Sequence, residues 1–344
     1  MSTPVASDYH ALASQVGGHP GVMTDSTGSV VVKPALAAEV EFYEAVHTNP
    51  IFEPLRPYVP KFLGTLSLQG QVDQEKSKDG AIFVKAGIEI EEDEKDSIVL
   101  ENLSFKFLKP NIMDIKLGTI LYERTASPEK RARMEKTARE TTSLETGVRL
   151  TGFQVHDHFN NSPIIIPKSY GKTIKSSQLP EGIRRFFPML TDSDKSKRPP
   201  EESGTGIPPD VLLPILECLR EDIAEIKSAL EQAEIRMVGG SLLIVYEADL
   251  ETAREGVKYW VDGEGVEDEE ENEEGEDSDE EEEGGQKKRP GPPYRVKLID
   301  FAHTHHMPGG GPDEGIVFGV DTVLKLLDER IAEVKEEQAA DGTS

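Results

Sequence analysis

The chain has 344 residues and a formal net charge of −27, and 36% of its residues are hydrophobic. This length can bury a core large enough for two lobes. No apolar run approaches the roughly 18–20 residues that a membrane helix needs, and the N-terminus lacks the basic and apolar regions of a signal peptide. The one cysteine, Cys218, excludes an internal disulfide and suits a reducing compartment. We therefore expect a protein of the nucleus and cytoplasm, without a membrane span.

Most of the excess negative charge lies in one segment. Between Glu264 and Glu283, 15 of 20 residues are Asp or Glu and none is basic. Such a block repels itself and has no apolar surface to bury, so we predict a disordered acidic insert over residues 262–292. The charge around any binding site must therefore be judged separately from the net charge of the whole chain. We expect no direct binding to nucleic acid.

The N-terminal part of the chain predicts a small lobe of mainly antiparallel sheet, the N-lobe, over residues 16–101. Residues 1–15 are predicted to be a disordered tail. Two apolar stretches flank the turn composition at 25–28, which is typical of a β-hairpin. Pro34 is expected to open a helix. The stripe of that helix at helical spacing is Leu36, Val40, Tyr43 and either Val46 or His47. Further strands are predicted at 61–69, 81–90 and 96–101.

Residues 102–338 predict a larger lobe of mixed strands and helices, the C-lobe. A capping hydroxyl, a proline and an acid follow one another at 127–129 and predict a helix start. A polar insert is expected at 191–207. A final helix is expected at about 319–338 and a longer one at about 209–234. The apolar stripe of the longer helix is Leu212, Ile215, Leu216, Leu219, Ile223, Ile226 and Leu230. Strands are predicted at 148–156, 164–168, 241–247 and 294–301.

Asp114 and Lys116 form the first candidate site. In PNIMDIKLGT, residues 110–119, these charged residues alternate with apolar ones. In a strand this alternation places both charged side chains on one face. A carboxylate beside an ammonium can position a hydroxyl and neutralise a phosphate, which makes both residues catalytic candidates. An exposed strand face is the alternative interpretation.

Asp300 ends a second apolar strand, in the segment VKLIDFAHT at 296–304. Kinases that hold Mg²⁺ between ATP phosphates need an acid in such a position. A carboxylate that caps the next turn explains the pattern equally well. His303 could donate to a substrate, although a structural histidine is the commoner outcome.

Lys33 ends a third apolar strand, in GSVVVKP at 28–34. A lysine there could hold ATP phosphates, with Glu39 on the next helix as its partner, whereas a surface lysine is the simpler interpretation. The chain contains no GxxxxGK[ST] loop, which excludes a P-loop enzyme. It also lacks the HRD and DFG motifs, which excludes an ordinary protein kinase.

A basic segment follows the first candidate site. Lys130, Arg133 and Lys136 recur at intervals of three, with Arg131 nearby. This spacing keeps the first members on roughly one side of a helix. A substrate with several phosphates needs several cations where it binds. A solvated helix surface is the alternative.

Together these segments resemble the inositol phosphate kinase family. PNIMDIKLG is similar to the family signature PxxxDxKxG. In the family's order there follow a serine-led strand at Ser241, the segment IDFAHT, and a DxGxxxG segment at 313–319. The likeness covers residues 15–327 outside the two inserts. The family often has two serines before the leucines, and here Gly240 replaces the first.

The resemblance implies an α+β bilobal fold related to protein kinases and ATP-grasp enzymes. A small antiparallel-sheet N-lobe and a larger α+β C-lobe would enclose ATP, with Mg²⁺ as the metal cofactor. Lys33 would contact ATP phosphates, while Glu101 and Leu103 would lie in the hinge that meets adenine. Asp300, helped by Ser241, would coordinate Mg²⁺.

The resemblance also implies a substrate side. Asp114 would lie where the ribose and the acceptor hydroxyl meet. Lys116 would bind and neutralise a phosphate of an inositol polyphosphate, and His303 would face the inositol ring. Further phosphate contacts would come from the basic helix, at Lys130, Arg131, Arg133 and Lys136.

Within the family, the compact chain, residues 121–142 and the acidic insert are most similar to fungal multikinases. This implies sequential phosphorylation of inositol trisphosphate to the tetrakis- and pentakisphosphate. We also expect the chain to be a monomer. Inositol hexakisphosphate kinase is the alternative, because it shares the core motifs. A function of another class is a transcriptional or assembly scaffold that binds transcription-factor partners through the acidic insert.

Overall fold

The N-lobe is an antiparallel sheet with one α-helix. The computed structural model describes residues 9–12, 21–67, 71–72, 84–85, 96–190, 204–261 and 290–341. The strands of this lobe are β1 (Tyr9–Ala11), β2 (Met23–Asp25), β3 (Val30–Pro34), β4 (Phe62–Ser67), β5 (Gln71–Val72), β6 (Val84–Lys85) and β7 (Asp96–Glu101). The five-stranded sheet has the order β1-β2-β3-β7-β4, and β5 pairs with β6. Helix α1 (Ala37–Thr48) is followed by two short 3₁₀ helices, Pro50–Phe52 and Arg56–Tyr58.

The predicted hairpin at 25–28 is confirmed. Strands β2 and β3 are antiparallel neighbours. The turn is closed by Asp25, whose carboxylate accepts a hydrogen bond from Val30 N at 3.3 Å. Gly28 has a φ of 79°, a conformation that glycine adopts without the steric cost a side chain would bring.

Three N-lobe predictions need correction. The predicted tail of residues 1–15 contains strand β1, which pairs with β2. The helix begins at Ala37 because Pro34 is still the last residue of β3. Leu36 is therefore exposed, and Glu39 takes a buried position on the helix instead. Most of the predicted strand 81–90 lies outside the described residues.

The C-lobe contains a second five-stranded antiparallel sheet and seven α-helices within the described ranges. Its strands are β8 (Pro110–Leu117), β9 (Val148–Asp157), β10 (Ser162–Ile166), β11 (Ile235–Met237), β12 (Ser241–Glu247), β13 (Tyr294–Ile299) and β14 (Thr304–His306). Its helices are α2 (Pro128–Glu140), α3 (Ser143–Thr146), α4 (Tyr170–Thr173), α5 (Leu179–Phe186), α6 (Pro209–Gln232), α7 (Leu250–Gly256) and α8 (Glu314–Asp341). The sheet order is β10-β9-β8-β12-β13, and β11 pairs with β14. The predicted α+β bilobal fold is confirmed.

Helix α6 carries the predicted apolar stripe into the core. All seven stripe residues are buried, and α6 packs against α8 and β13.

The predicted start of helix α2 is also confirmed, because the Ser127 hydroxyl accepts a hydrogen bond from Lys130 N at 3.2 Å. In the described part of the chain, no helix has the length and apolar content needed to span a membrane.

Two C-lobe boundaries differ from the predictions. Helix α8 begins at Glu314 rather than at 319, and the Asp313 carboxylate accepts hydrogen bonds from Gly315 N and Ile316 N at this start. Gly319 lies inside the helix, where it allows close packing. A Cβ on Gly319 would lie 2.4 Å from the carbonyl oxygen of Gly147. The polar insert was predicted to reach residue 207, but Ile207 is buried in the core. Most of the two predicted inserts, residues 191–203 and 262–289, lies outside the described ranges. At the end of the second insert, the main-chain oxygen of Pro290 accepts a hydrogen bond from the Trp260 indole nitrogen.

We expect Leu219→Ala to lower the free energy of unfolding by about 2–5 kcal/mol, because it leaves a cavity in a close-packed core. Leu219 is fully buried on α6. Urea denaturation followed by circular dichroism measures the loss. Glu221→Ala, at an exposed position of the same helix, should change the stability by no more than about 0.5 kcal/mol. Equal effects of the two variants would contradict the assigned helix face.

Candidate active site

An apolar cleft lies between the two sheets. It is bounded by the cleft faces of β3 and β7 in the N-lobe and of β8, β12 and β13 in the C-lobe. Its apolar lining is Leu12, Val22, Val31, Leu100, Leu103, Ile112, Leu243, Val245 and Ile299. Lys33, Asp114 and Asp300 line the same cleft. A flat apolar group and a charged group can therefore occupy the cleft together.

A chain of four charges crosses from one lobe to the other. The Lys33 ammonium lies 2.8 Å from Glu39 and 3.2 Å from Asp300. On the other side, the second carboxylate oxygen of Asp300 lies 3.1 Å from the Lys116 ammonium. Residues far apart in sequence thus meet at one carboxylate. The predicted partnership of Lys33 with Glu39 is confirmed by this geometry.

The position of Asp300 is held by helix α1. Asp300 follows β13 with a φ of 67°, a left-handed conformation that carries a steric cost for residues other than glycine. The next amide, Phe301 N, donates to the buried Glu39 carboxylate at 3.2 Å. The Phe301 ring is fully buried and stacks on Phe42 at a centroid distance of 4.5 Å. One helix therefore fixes both the lysine and the carboxylate.

Asp300 and Asp114 have opposite electrostatic environments. Burial would raise the pKa of Asp300, but Lys116 and Lys33 hold that pKa below its usual value. For Asp114, burial dominates and raises the pKa, with Asp300 adding to the rise and Lys116 opposing it. The carboxylate of Asp300 is therefore kept ionised, whereas the carboxylate of Asp114 binds a proton more readily than an ordinary aspartate.

Asp114 is an unpaired acidic group of the site. It is 1% exposed, and neither of its carboxylate oxygens has a hydrogen-bond partner among the described residues. The hydroxyls of Ser241 and Thr151 lie close enough to lower its pKa, but neither completes a hydrogen bond to it. The Thr151 hydroxyl donates instead to the main-chain oxygen of Asp114. A buried polar group without a partner is costly, so this carboxylate is suited to a ligand hydroxyl.

Lys116 is held by the strand beside it. Its ammonium donates to Gly239 O at 2.8 Å and to the Ser241 hydroxyl at 3.0 Å, besides its contact with Asp300. Ser241 is fully buried. Ser241 thus supports the lysine directly, and its predicted role beside a metal ion stays a prediction.

The predicted hinge residues also line the cleft. Glu101, at the end of β7, accepts a hydrogen bond from Lys61 N and pairs with Arg295 of β13 at 3.0 Å. Leu103 is buried, with 6% exposed. The chain therefore passes from the N-lobe to the C-lobe along the wall of the cleft, where a nucleotide base could meet its backbone.

His303 and the basic helix α2 lie outside the charge chain. The ring of His303 contacts the Glu123 carboxylate at 3.0 Å. The neighbouring Tyr122 donates to Glu135 of α2, which joins the helix to the His303 side of the site. The four predicted phosphate-binding cations of α2 are exposed and do not touch the charge chain: Lys130, Arg131, Arg133 and Lys136. Their roles stay predictions.

Sequence reasoning missed two contributors to the site and one arginine on the strand beside it. Leu12, from the predicted tail, lines the cleft, and only pairing of β1 with β2 brings it there. The second contact of Glu39, with Phe301 N, carries no signal in sequence. Arg149 lies opposite Lys116 on β9; the alternation within strand β9 was the signal that could have identified it.

Comparison with known proteins agrees with this geometry. A two-lobed fold whose cleft ends in lysines and carboxylates defines a kinase-type phosphotransferase. A family model described as inositol polyphosphate kinase matches residues 97–328. The chain is 31% identical to an inositol polyphosphate multikinase of Saccharomyces cerevisiae, over 93% of this chain and 98% of that protein. The chain belongs to the inositol polyphosphate kinase family.

Other relatives are less similar or less completely covered. An inositol polyphosphate multikinase of Schizosaccharomyces pombe is 31% identical over 53% of this chain and 65% of that protein. A mouse inositol hexakisphosphate kinase 3 is 28% identical, over 67% of this chain and 50% of that protein. The crystal structure of the S. cerevisiae inositol phosphate multikinase Ipk2 with ADP and Mn²⁺ has a TM-score of 0.59 and 26% identity, and the match covers 88% of this chain and 100% of that one.

We expect Asp114→Asn to stabilise the fold, because it removes an unpaired buried carboxylate. The folded-state pKa of Asp114 lies above its ordinary value of 3.8. Its ionisation therefore destabilises the wild type as pH rises from 3.8 through the folded-state pKa. The advantage of the asparagine variant should grow over that range and then level off, with a Tm gain of about 2 °C per kcal/mol.

Thermal denaturation between pH 4 and 8 measures this difference. Asp328→Asn, at a carboxylate that is 54% exposed, is the matched control and should show no gain that grows with pH. A variant less stable than the wild type at neutral pH would indicate that Asp114 has a partner in the folded state.

Proposed function

We propose that this protein is an ATP- and Mg²⁺-dependent kinase that converts inositol trisphosphate to the tetrakis- and pentakisphosphate. The observation that carries the proposal is the unpaired carboxylate of Asp114 beside the Lys33–Asp300–Lys116 charge chain, at the charged end of an apolar cleft. Membership of the inositol polyphosphate kinase family supports the same conclusion.

The geometry supports direct transfer to a bound hydroxyl. Asp114 accepts a hydrogen bond from the acceptor hydroxyl and takes its proton as that oxygen bonds to the γ-phosphorus of ATP, while the bond from this phosphorus to the leaving oxygen of ADP breaks. Its raised pKa favours that role. Lys33 and Lys116 offset the charge of the transferring phosphoryl group from opposite lobes. Glu39 of helix α1 pairs with Lys33 and also accepts a hydrogen bond from the amide that follows Asp300. It thereby fixes the positions of Lys33 and Asp300 relative to each other.

The donor set is compatible with Mg²⁺. This ion is usually held by one or two carboxylates together with phosphate oxygens and water. Asp300 supplies one ionised carboxylate at the cleft. Ser241 lies on the neighbouring strand β12, opposite Ile299, the residue that precedes Asp300. When bound, Mg²⁺ would neutralise charge on the ATP phosphates. The ADP and Mn²⁺ in the yeast Ipk2 structure support the use of a nucleotide and a divalent metal.

Similarity to the multikinases favours trisphosphate over hexakisphosphate as the acceptor. The match to the S. cerevisiae multikinase spans 98% of that protein, whereas the match to the mouse hexakisphosphate kinase spans half of its length. We further propose that the enzyme is monomeric and works in the nucleus and cytoplasm, which agrees with its single cysteine.

A second function, as a scaffold for transcription factors, would reside in the acidic insert. The flanks of the insert are tied together, because the Trp260 indole nitrogen donates to Pro290 O at 2.9 Å. Neither residue lines the nucleotide cleft. Binding of a basic partner to the insert would therefore not require a change in the cleft.

Incubation of the full-length protein with ATP, Mg²⁺ and inositol trisphosphate should give the tetrakis- and pentakisphosphate, resolved by ion-exchange chromatography. Asp300→Asn should lower turnover at least about a hundredfold, because it removes the ionised carboxylate that both lysines contact. An unchanged Tm would verify that the variant is folded. Near-normal turnover of Asp300→Asn would refute the metal assignment. Phosphorylation of the hexakisphosphate alone would favour the alternative substrate.

Deletion of residues 264–289 should leave kinase turnover within about twofold of the wild type, because the flanking residues Trp260 and Pro290 stay joined. Any scaffold function should be lost. Turnover assays of the deletion variant, combined with pull-down of basic partners, separate the two functions. Loss of turnover in a folded deletion variant would contradict their independence.

A further inference from the structure

A second cavity, the junction cavity, adjoins the nucleotide cleft where the two lobes meet. Its volume is about 320 Å³, which is within the range of small-molecule sites. Its N-lobe side is lined by Pro57, Tyr58 and the hinge residue Glu101, and its C-lobe side by α6, β13 and the segment that contains Trp260. Glu101 also lines the nucleotide cleft. The two cavities therefore share one wall.

Contacts between the lobes fix the walls of the junction cavity. The Tyr58 hydroxyl donates to a carboxylate of α6, and the Lys297 ammonium donates to the main-chain oxygen of Pro57. On the C-lobe side, a Cβ on Gly256 would lie 2.9 Å from Gly291 O. The end of α7 thus packs directly against the segment that leads into β13. The cavity is largely formed without a ligand, as small-molecule sites usually are.

Two opposite charges line the junction cavity without forming an ion pair. Lys297 of β13 and Asp222 of α6 are both half-buried. Burial lowers the pKa of Lys297 and raises the pKa of Asp222. Among the described residues, Lys297 is bound by a main-chain oxygen, and the neutral Tyr294 hydroxyl lies beside Asp222. Each charge would therefore gain from a counter-ion inside the cavity.

The hinge reaches the same group of charges. Arg295 lies two residues before Lys297 on β13, so both side chains project to one face of the strand. The Arg295 guanidinium pairs with Glu101 at 3.0 Å. An anion bound at Lys297 would compete with Glu101 for this guanidinium. Because Glu101 also lines the nucleotide cleft, the competition would alter the wall that a nucleotide base meets.

We propose that the junction cavity binds a small zwitterion, with its anion at the two cations of β13 and its cation at Asp222, and that this ligand weakens nucleotide binding through Glu101. An anion alone would be repelled by Asp222, and a cation alone by Lys297, whereas a zwitterion compensates both walls. Trp260 is 37% exposed, and its indole N–H is already bonded to Pro290 O. The face of its ring is therefore suited to the apolar body of the ligand.

The single tryptophan of the chain makes binding directly measurable. Trp260 is that tryptophan, so its fluorescence reports on the junction cavity. The full-length protein is titrated with glycine, 4-aminobutyrate and 6-aminohexanoate, in which the two charges lie increasingly far apart. At least one of these probes should change the emission saturably. The carboxylate and the amine of the same chain length should each bind at least about tenfold more weakly, because each lacks one charge-assisted hydrogen bond.

Three variants locate the binding. Lys297→Met and Asp222→Asn should each weaken binding of the probe at least about tenfold. Lys325→Met, at an exposed lysine of α8, is the matched control and should bind the probe as the wild type does. An unchanged Tm verifies each fold. If Lys297→Met does not fold, Asp222→Asn carries the test, since it keeps the size of the side chain.

The effect on the nucleotide is measured separately, by calorimetric titration with ADP and Mg²⁺. A saturating probe should weaken ADP binding about fivefold or more, and ADP should weaken binding of the probe by the same factor. At the same probe concentration, the ADP affinity of Asp222→Asn should not change.

Several outcomes would overturn the proposal. No response of Trp260 to any of the three zwitterions would do so, and so would equal binding of the singly charged analogues or an unaltered affinity in both cavity variants. A saturable response without a change in ADP affinity would refute the link through Glu101. Neither readout uses an inositol phosphate, so the result is independent of the proposed acceptor.

Discussion

The carboxylate of Asp300 lies between two lysines from different lobes, and the rest of the site depends on this arrangement. Lys33 belongs to the N-lobe sheet and Lys116 to the C-lobe sheet, at 3.2 and 3.1 Å from the two carboxylate oxygens. All three side chains are largely shielded from solvent, so salt screens their attraction less than at the surface. The charges that join the two lobes are therefore the same charges that would hold a nucleotide phosphate.

The two carboxylates of the site differ because their surroundings differ. Asp300 is balanced by two ammoniums and keeps its charge, whereas Asp114 is buried without a hydrogen-bond partner among the described residues and has a raised pKa. The same residue type is thus adapted to hold cations at one position and to accept a proton at the other. Helix α1 supports this division, since Glu39 binds Lys33 and also fixes the amide that follows Asp300.

Local patterns predicted much of the fold and part of the site. The apolar stripe of α6 and the Ser127 cap were predicted correctly because period and capping chemistry are local. Asp114 and Lys116 were found because strand alternation is local too. Helix α8 was predicted to begin at about residue 319, five residues too late. Gly319 lies inside the helix. Its actual role is to admit the backbone of Gly147, which belongs to a distant segment.

The sequence by itself determined which residues carry charge, many of the longer strands and helices, and which family motifs are present. Only the tertiary structure decided which charges meet. The pairing of Lys33 with Asp300 spans 267 positions of sequence, and the pairing of β8 with β9 sets Arg149 beside Lys116. Such contacts arise from sheet register and lobe packing, which depend on long-range burial rather than on any local pattern.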